Sequence, residues 1–146
     1  MHTTIRTFRP EDYDAAFELW KATPGIGLSS ADERDAILSF LARNPGMSYV
    51  ASDGDRLVGT ILCGHDGRRG LIHHLVSAVT VRRQGAAQRL LAAGMESFRR
   101  AGIQKAHLFV FQSNDEAIAF WRAVGAQYRS ELALYSIAVS RDGGEG

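Results

Sequence analysis

Between residues 71 and 111 the hydropathy pattern changes period twice, and this constrains the fold more than any other feature. Residues 71–79 read as a strand. From Ala87 the apolar positions Leu90, Leu91, Met95 and Phe98 recur at helical spacing, and the helix they mark stops at Gly102. Residues 106–111 then read as a buried strand. A strand, helix, strand crossover is a unit of α/β chains, not of bundles or all-β sandwiches. Around it, residues 5–9 alternate as a strand ending at Pro10, and Tyr13, Ala16, Phe17 and Trp20 mark a helix. Ser30 with Glu33 forms a capping box for a second helix through Ile37, Phe40 and Leu41. Residues 47–52, the turn Asp53-Gly54-Asp55 and residues 57–64 give a hairpin, and the polar turn 66–70 leads into residues 71–79. Ser113 with Glu116 caps a helix that stops at Gly125, and residues 132–139 supply a last strand. The order β α α β β β α β α β predicts an α/β fold: a mixed sheet with helices on both faces.

One domain accommodates all of this. The chain has 146 residues, 45% hydrophobic and 23% charged, and a chain of that length buries roughly two thirds of its unfolded surface without disulfides or metals. The expected domain is 1–141, with 142–146 a frayed tail. Cys63, the single cysteine, has no internal bridge to make and no motif that would activate it, so it reads as core. No leader precedes Ile5, which points to the cytoplasm. No apolar run approaches the ~20 residues that span a bilayer, so no membrane partner is expected.

The net charge of +1 conceals an asymmetry. Residues 1–67 carry six Lys/Arg against ten Asp/Glu, while residues 68–146 carry eleven against six. Arg82, Arg83, Arg89, Arg99 and Arg100 cluster from one glycine turn onward, which favours a localised anion site over a nucleic-acid surface. The turn is Arg82-Arg83-Gln84-Gly85-Ala86-Ala87. Small residues there let backbone approach a ligand, and unpaired first-turn amides, aided by the helix dipole, bind phosphate. A pyrophosphate fits.

Four pieces resemble, in order and spacing, the GNAT superfamily of acyl-CoA-dependent N-acetyltransferases, over nearly the whole chain. These are Ile5-Arg6-Thr7-Phe8-Arg9-Pro10-Glu11-Asp12, Leu57-Val58-Gly59-Thr60, residues 72–77 with the 82–87 loop, and Asn114-Asp115-Glu116-Ala117-Ile118-Ala119-Phe120-Trp121-Arg122-Ala123-Val124-Gly125. The turn Gly64-His65-Asp66-Gly67-Arg68-Arg69-Gly70 is similar to the bacterial YpeA-type branch. The resemblance implies a mostly antiparallel sheet whose central strands splay apart. Pantetheine of acetyl-CoA then pairs with the backbone of Leu75, Val76 and Ser77. Arg82, Arg83, Gln84, Gly85, Ala86, Ala87 and Gln88 hold the pyrophosphate, and Asn114 lies near the cofactor arm or caps its helix.

Departures from the family concern the proton transfers. Trp121 stands where many members have a tyrosine that protonates the CoA thiolate, and Phe109 stands where members that acetylate protein N-termini have a glutamate. An indole N–H is a donor only. Attack on a thioester needs a neutral amine, and histidine is the side chain matched to take its proton near neutral pH. His73 and His74, on the cofactor strand, are the candidate bases; Tyr128 and Tyr135 are candidate thiolate acids. No metal ligand set has defensible spacing. The expected acceptor is a small-molecule or peptide primary amine, cationic, bound mainly by the acidic first half around residues 21–35. A homodimer is one assembly open to the chain. Against the enzyme stands a second reading, a catalytically weak acyl-CoA-binding or regulatory module, motivated by Trp121 and Phe109.

Overall fold

The computed structural model describes residues 3–140. Five strands form one sheet in the order β1-β2-β3-β4-β5: β1 Thr3–Thr7, β2 Tyr49–Asp53, β3 Arg56–His65, β4 Gly70–Ser77 and β5 Ala106–Leu108. The first three pairings are antiparallel and β4 with β5 is parallel. The α/β class and the mostly antiparallel mixed sheet follow the sequence reading. Helices α1 Tyr13–Ala22 and α2 Arg34–Arg43 precede β2, α3 Ala86–Arg100 is the crossover, and α4 Asp115–Ala123 follows β5. Internal contacts divide the chain after Leu108, so that the sheet with α1–α3 is one compact unit and the residues from Phe109 onward, with α4, are a second.

Alternation along β3 assigns the helices to faces. Thr60 accepts a 2.9 Å hydrogen bond from Trp20 Nε1 of α1, and Leu62 joins Tyr13, Trp20 and Ile37 in one buried cluster. A Cβ on Gly64 would meet Phe40 and Asn44. Gly59, Ile61 and Cys63 face the other way: a Cβ on Gly59 would lie 2.9 Å from Leu90 Cδ1, and one on Gly94 of α3 would lie 2.8 Å from Cys63 Sγ. Thus α1 and α2 cover one face and α3 the other. At the opening of α1, Arg6 grips Asp12 with two bonds of 2.8 and 2.9 Å, and the Arg9 amide adds a third. Burial would raise the Asp12 carboxyl, but these bonds outweigh it and hold the group below its ordinary value.

Four expectations are corrected. Residues 132–139 form no strand, and Leu132, Leu134, Tyr135, Ile137 and Val139 are exposed; alternation supplies a face, whereas a strand also needs a partner's ladder. β5 ends at Leu108 instead of reaching residue 111, leaving Phe109 and Phe111 exposed. The first capping box is Ser29 with Asp32, one residue earlier than the sequence reading, around a 3-10 turn Ser30–Asp32 that leads into α2. Asn114, not Ser113, caps α4, its Oδ1 accepting from Ala117 N at 3.1 Å. The tail 142–146 lies outside the described residues.

Candidate functional site

β4 carries an irregularity that the rest of the site is built on. Thr60 pairs with Val76 and Leu62 with His73, so two residues, His74 and Leu75, oppose Ile61 alone. This is a β-bulge. His74 sits at φ +48°, the one non-glycine residue with positive φ among those described, a conformation that costs ~1–2 kcal/mol for a residue with a Cβ. The bulge interrupts the alternation of side chains, and His73 and His74 both reach the α1/α2 face. His73 lies edge-on to Phe40 of α2, with centroids 5.8 Å apart, and His74 lies 4.6 Å from Trp20 of α1.

A polar network holds the bulge in place. His74 Nε2 is 2.6 Å from Asp32 Oδ1, and the two side chains are 13% and 11% exposed. Asp32 Oδ2 accepts from the Ser29 amide at 2.9 Å, and the Asp32 carbonyl accepts from the Tyr13 hydroxyl at 2.6 Å. On the backbone side Thr60 Oγ1 donates to the His74 carbonyl at 2.7 Å while accepting from Trp20 Nε1. Burial lowers the His73 pKa below its ordinary value, the neighbouring His74 adds to that, and Asp32 opposes it. His73 is thereby biased toward the neutral form that can accept a proton.

On the edge of β4 away from β3 the ladder is short among the described residues. β5 pairs with Gly70, Leu71 and Ile72 only, and β4 continues to Ser77. Ladder pairing on that edge therefore ends before Leu75, Val76 and Ser77, whose backbones stand where an extended ligand can add as a strand. Beyond Ser77 a 3-10 segment Val79–Gln84 carries Arg82 and Arg83 to the surface, and Arg82 Nε reaches the Ser77 carbonyl at 3.4 Å. Gly85 then turns at φ +77°, with no atom within 4 Å of where a Cβ would be. The first helical bond of α3 runs from Arg89 N to Gly85 O at 3.0 Å. The amides of Ala86, Ala87 and Gln88 precede it and have no partner inside the helix. Arg89 itself is committed elsewhere, Nη1 donating to the Thr3 carbonyl at 2.7 Å.

In the second unit, Asn114 is engaged as a cap through Oδ1, and Tyr128 and Tyr135 are exposed. Cys63 is buried core, and desolvation pushes its thiol up to about 12, far from a nucleophile's range. His65 and Asp66 are turn residues, accepting backbone amides of Gly67, Arg68 and Arg69. Among the described residues no group of three His, Cys, Asp or Glu can hold a metal, and no helix is long and apolar enough to cross a membrane. Sequence reasoning missed Asp32, Thr60 and Trp20 as partners of His74. The signal available was the Ser29–Asp32 spacing, which fits a capping box as well as Ser30–Glu33 does.

Residues 13–126 match the model of the acetyltransferase (GNAT) family. The chain is 30% identical over 117 residues to "Acetyltransferase ECA0875" of Pectobacterium atrosepticum, covering 80% of this chain and 82% of that protein. Among solved structures, Ard1 from Thermoplasma volcanium is similar with a TM-score of 0.75 at 23% identity, over 86% of this chain and 82% of that one. The PaiA N-acetyltransferase from Thermoplasma acidophilum, solved in complex with coenzyme A, has a TM-score of 0.73 at 19% identity, over 86% and 89%. The family match spans most of the chain, and the fold agrees with it: the chain belongs to the acetyltransferase (GNAT) family.

Proposed function

We propose that this acetyltransferase moves an acetyl group from acetyl-CoA to a primary amine by direct attack in a ternary complex, in the cytoplasm. The observation that carries the reading is the continuity of the unpaired edge of β4 with the Gly85 turn. An extended arm pairing with Leu75, Val76 and Ser77 runs toward amides that favour a pyrophosphate. Arg82, Arg83, Gln84, Gly85, Ala86, Ala87 and Gln88 form that cradle, and Asn114 is assigned to the cofactor arm, since capping uses its oxygen and not its two amide donors. His73 and His74 are the candidate proton acceptors, Tyr128 and Tyr135 the candidate thiolate acids. The acceptor is read as a cationic small-molecule or peptide amine. Support for this comes from the acidic first half of the chain and from Asp32, which reaches β4 from the segment assigned to the amine. The 64–70 turn keeps the YpeA-type branch as the assigned subfamily.

Replacing Gly85 with valine tests the cradle. A β-branched residue at φ +77° is strained and fills the space over the amides. The Kd for CoA, measured by calorimetry, is expected to rise ~10-fold or more, equivalent to ~1.4 kcal/mol, with the far-ultraviolet circular dichroism retained. An unchanged Kd in the folded variant overturns the assignment.

A further inference from the structure

We infer that Asp32 is a positioning residue that fixes the tautomer and orientation of His74, and that His74 is the base for the attacking amine; the second half rests on the acetyl-transfer reading above. An ionised carboxylate only accepts hydrogen bonds, so the 2.6 Å contact places the ring proton on Nε2 and leaves Nδ1 of the neutral imidazole as the acceptor. Asp32 is itself immobilised, by the Ser29 amide on Oδ2 and by the Tyr13 hydroxyl on its carbonyl. His74 is held at both ends as well, its ring against Trp20 and its carbonyl by Thr60 Oγ1. A strained backbone persists where its surroundings over-determine it, and such strain concentrates at functional sites. The titratable groups facing the His74 ring are Asp32, His73 with its ring centroid 6.5 Å away, and, behind Asp32, the Tyr13 hydroxyl.

An acceptor that arrives as an ammonium ion first loses one proton to solvent, and from the neutral amine the step balances without a further reactant. The amine nitrogen forms a C–N bond to the thioester carbonyl carbon, the C–S bond breaks, and CoA leaves as thiolate. His74 Nδ1 takes the proton that the amine sheds, and that proton passes from the imidazolium to the thiolate through solvent or through the candidate acids named above.

The test uses the full-length protein labelled with 15N-histidine, with thiol release from acetyl-CoA measured over a panel of primary amines. The wild-type protein is expected to show His74 as the Nε2–H tautomer. In Asp32→Asn the side-chain oxygen remains with the Ser29 amide and the NH2 turns to Nε2, selecting the Nδ1–H tautomer. The expected kinetics are a fall in kcat of ~10² or more, with the KM for acetyl-CoA and the Kd for CoA unchanged and partial recovery in Asp32→Glu. A folded Asp32→Asn protein whose His74 keeps its tautomer overturns the positioning role. If the tautomer switches while kcat stays within about twofold of wild type, the base role falls alone. If wild-type protein binds CoA but releases thiol with no amine, the base role falls together with the acetyl-transfer reading, and the spectrum still decides what Asp32 does to His74.

Discussion

The two faces of the sheet are built on opposite principles. Under α3 the contact is apolar and close: glycines at 59, 70 and 94 admit Leu90, Phe98 and Cys63 at distances a side chain would forbid, and Leu90 and Cys63 are fully buried. Under α1 and α2 the contact includes a chain of hydrogen bonds from Tyr13 through Asp32 and His74 to Thr60 and Trp20. An apolar face gains stability from burial and dispersion and is indifferent to pH. A buried polar face gains less net stability, because each bond replaces one to water, but it fixes groups in a single geometry. Both faces bury apolar side chains, and the α1/α2 face adds to its own apolar cluster a network that aims side chains.

That contrast can be broken most forcefully from the apolar side. Leu90→Ala leaves a cavity between α3 and β3, and unfolding in urea is expected to show a loss of ~2–5 kcal/mol, with the Kd for CoA little changed in the folded fraction. Trp20→Phe acts on the opposite face. It keeps an aromatic ring beside His74 but removes the donor to Thr60 and part of a fully buried ring, so stability is expected to fall by ~1–3 kcal/mol. Its effect on kcat is expected to be proportionately larger than on stability; a variant that loses stability and keeps kcat makes the two faces equivalent.

The smallest effect sharpens the comparison through pH. The folded pKa of His73 lies below its ordinary 6.5, so the unfolded chain takes up a proton first as pH falls. Stability is therefore unaffected well above 6.5 and declines as pH drops through that value, levelling once the folded protein also protonates. Subtracting the same urea series for His73→Gln isolates this slope. Cys63, on the other face, has its thiol near 12 and is silent over the window. A difference between the two series that rises on acidification gives the burial of His73 the wrong sign.

The sequence was most legible where structure is local. The Asp53-Gly54-Asp55 turn, the Gly85 entry to α3 and the stops at Gly102 and Gly125 all stand at glycines that take positive φ, a requirement the residue type announces by itself. The Tyr13, Phe17, Trp20 stripe stacks as its spacing predicts. His74 has positive φ without a glycine, and nothing in the local sequence announces it. The bulge is a matter of register between β3 and β4, set by which residues of β3 must face α1 and which α3. Asp32 belongs to the acidic stretch around residues 21–35, and nothing local marks that it contacts a strand residue 42 positions away.

The sequence by itself determined the crossover, the glycine turn that opens α3 and the order of strands through β5, because helix periodicity, glycine turns and apolar runs are properties of neighbouring residues. The failure of residues 132–139 to pair, the early end of β5, the bulge and the Asp32–His74 contact were decided only by the tertiary structure. Each depends on a hydrogen-bonding partner distant in the chain, and the residue that receives a bond carries no mark of which residue will donate it.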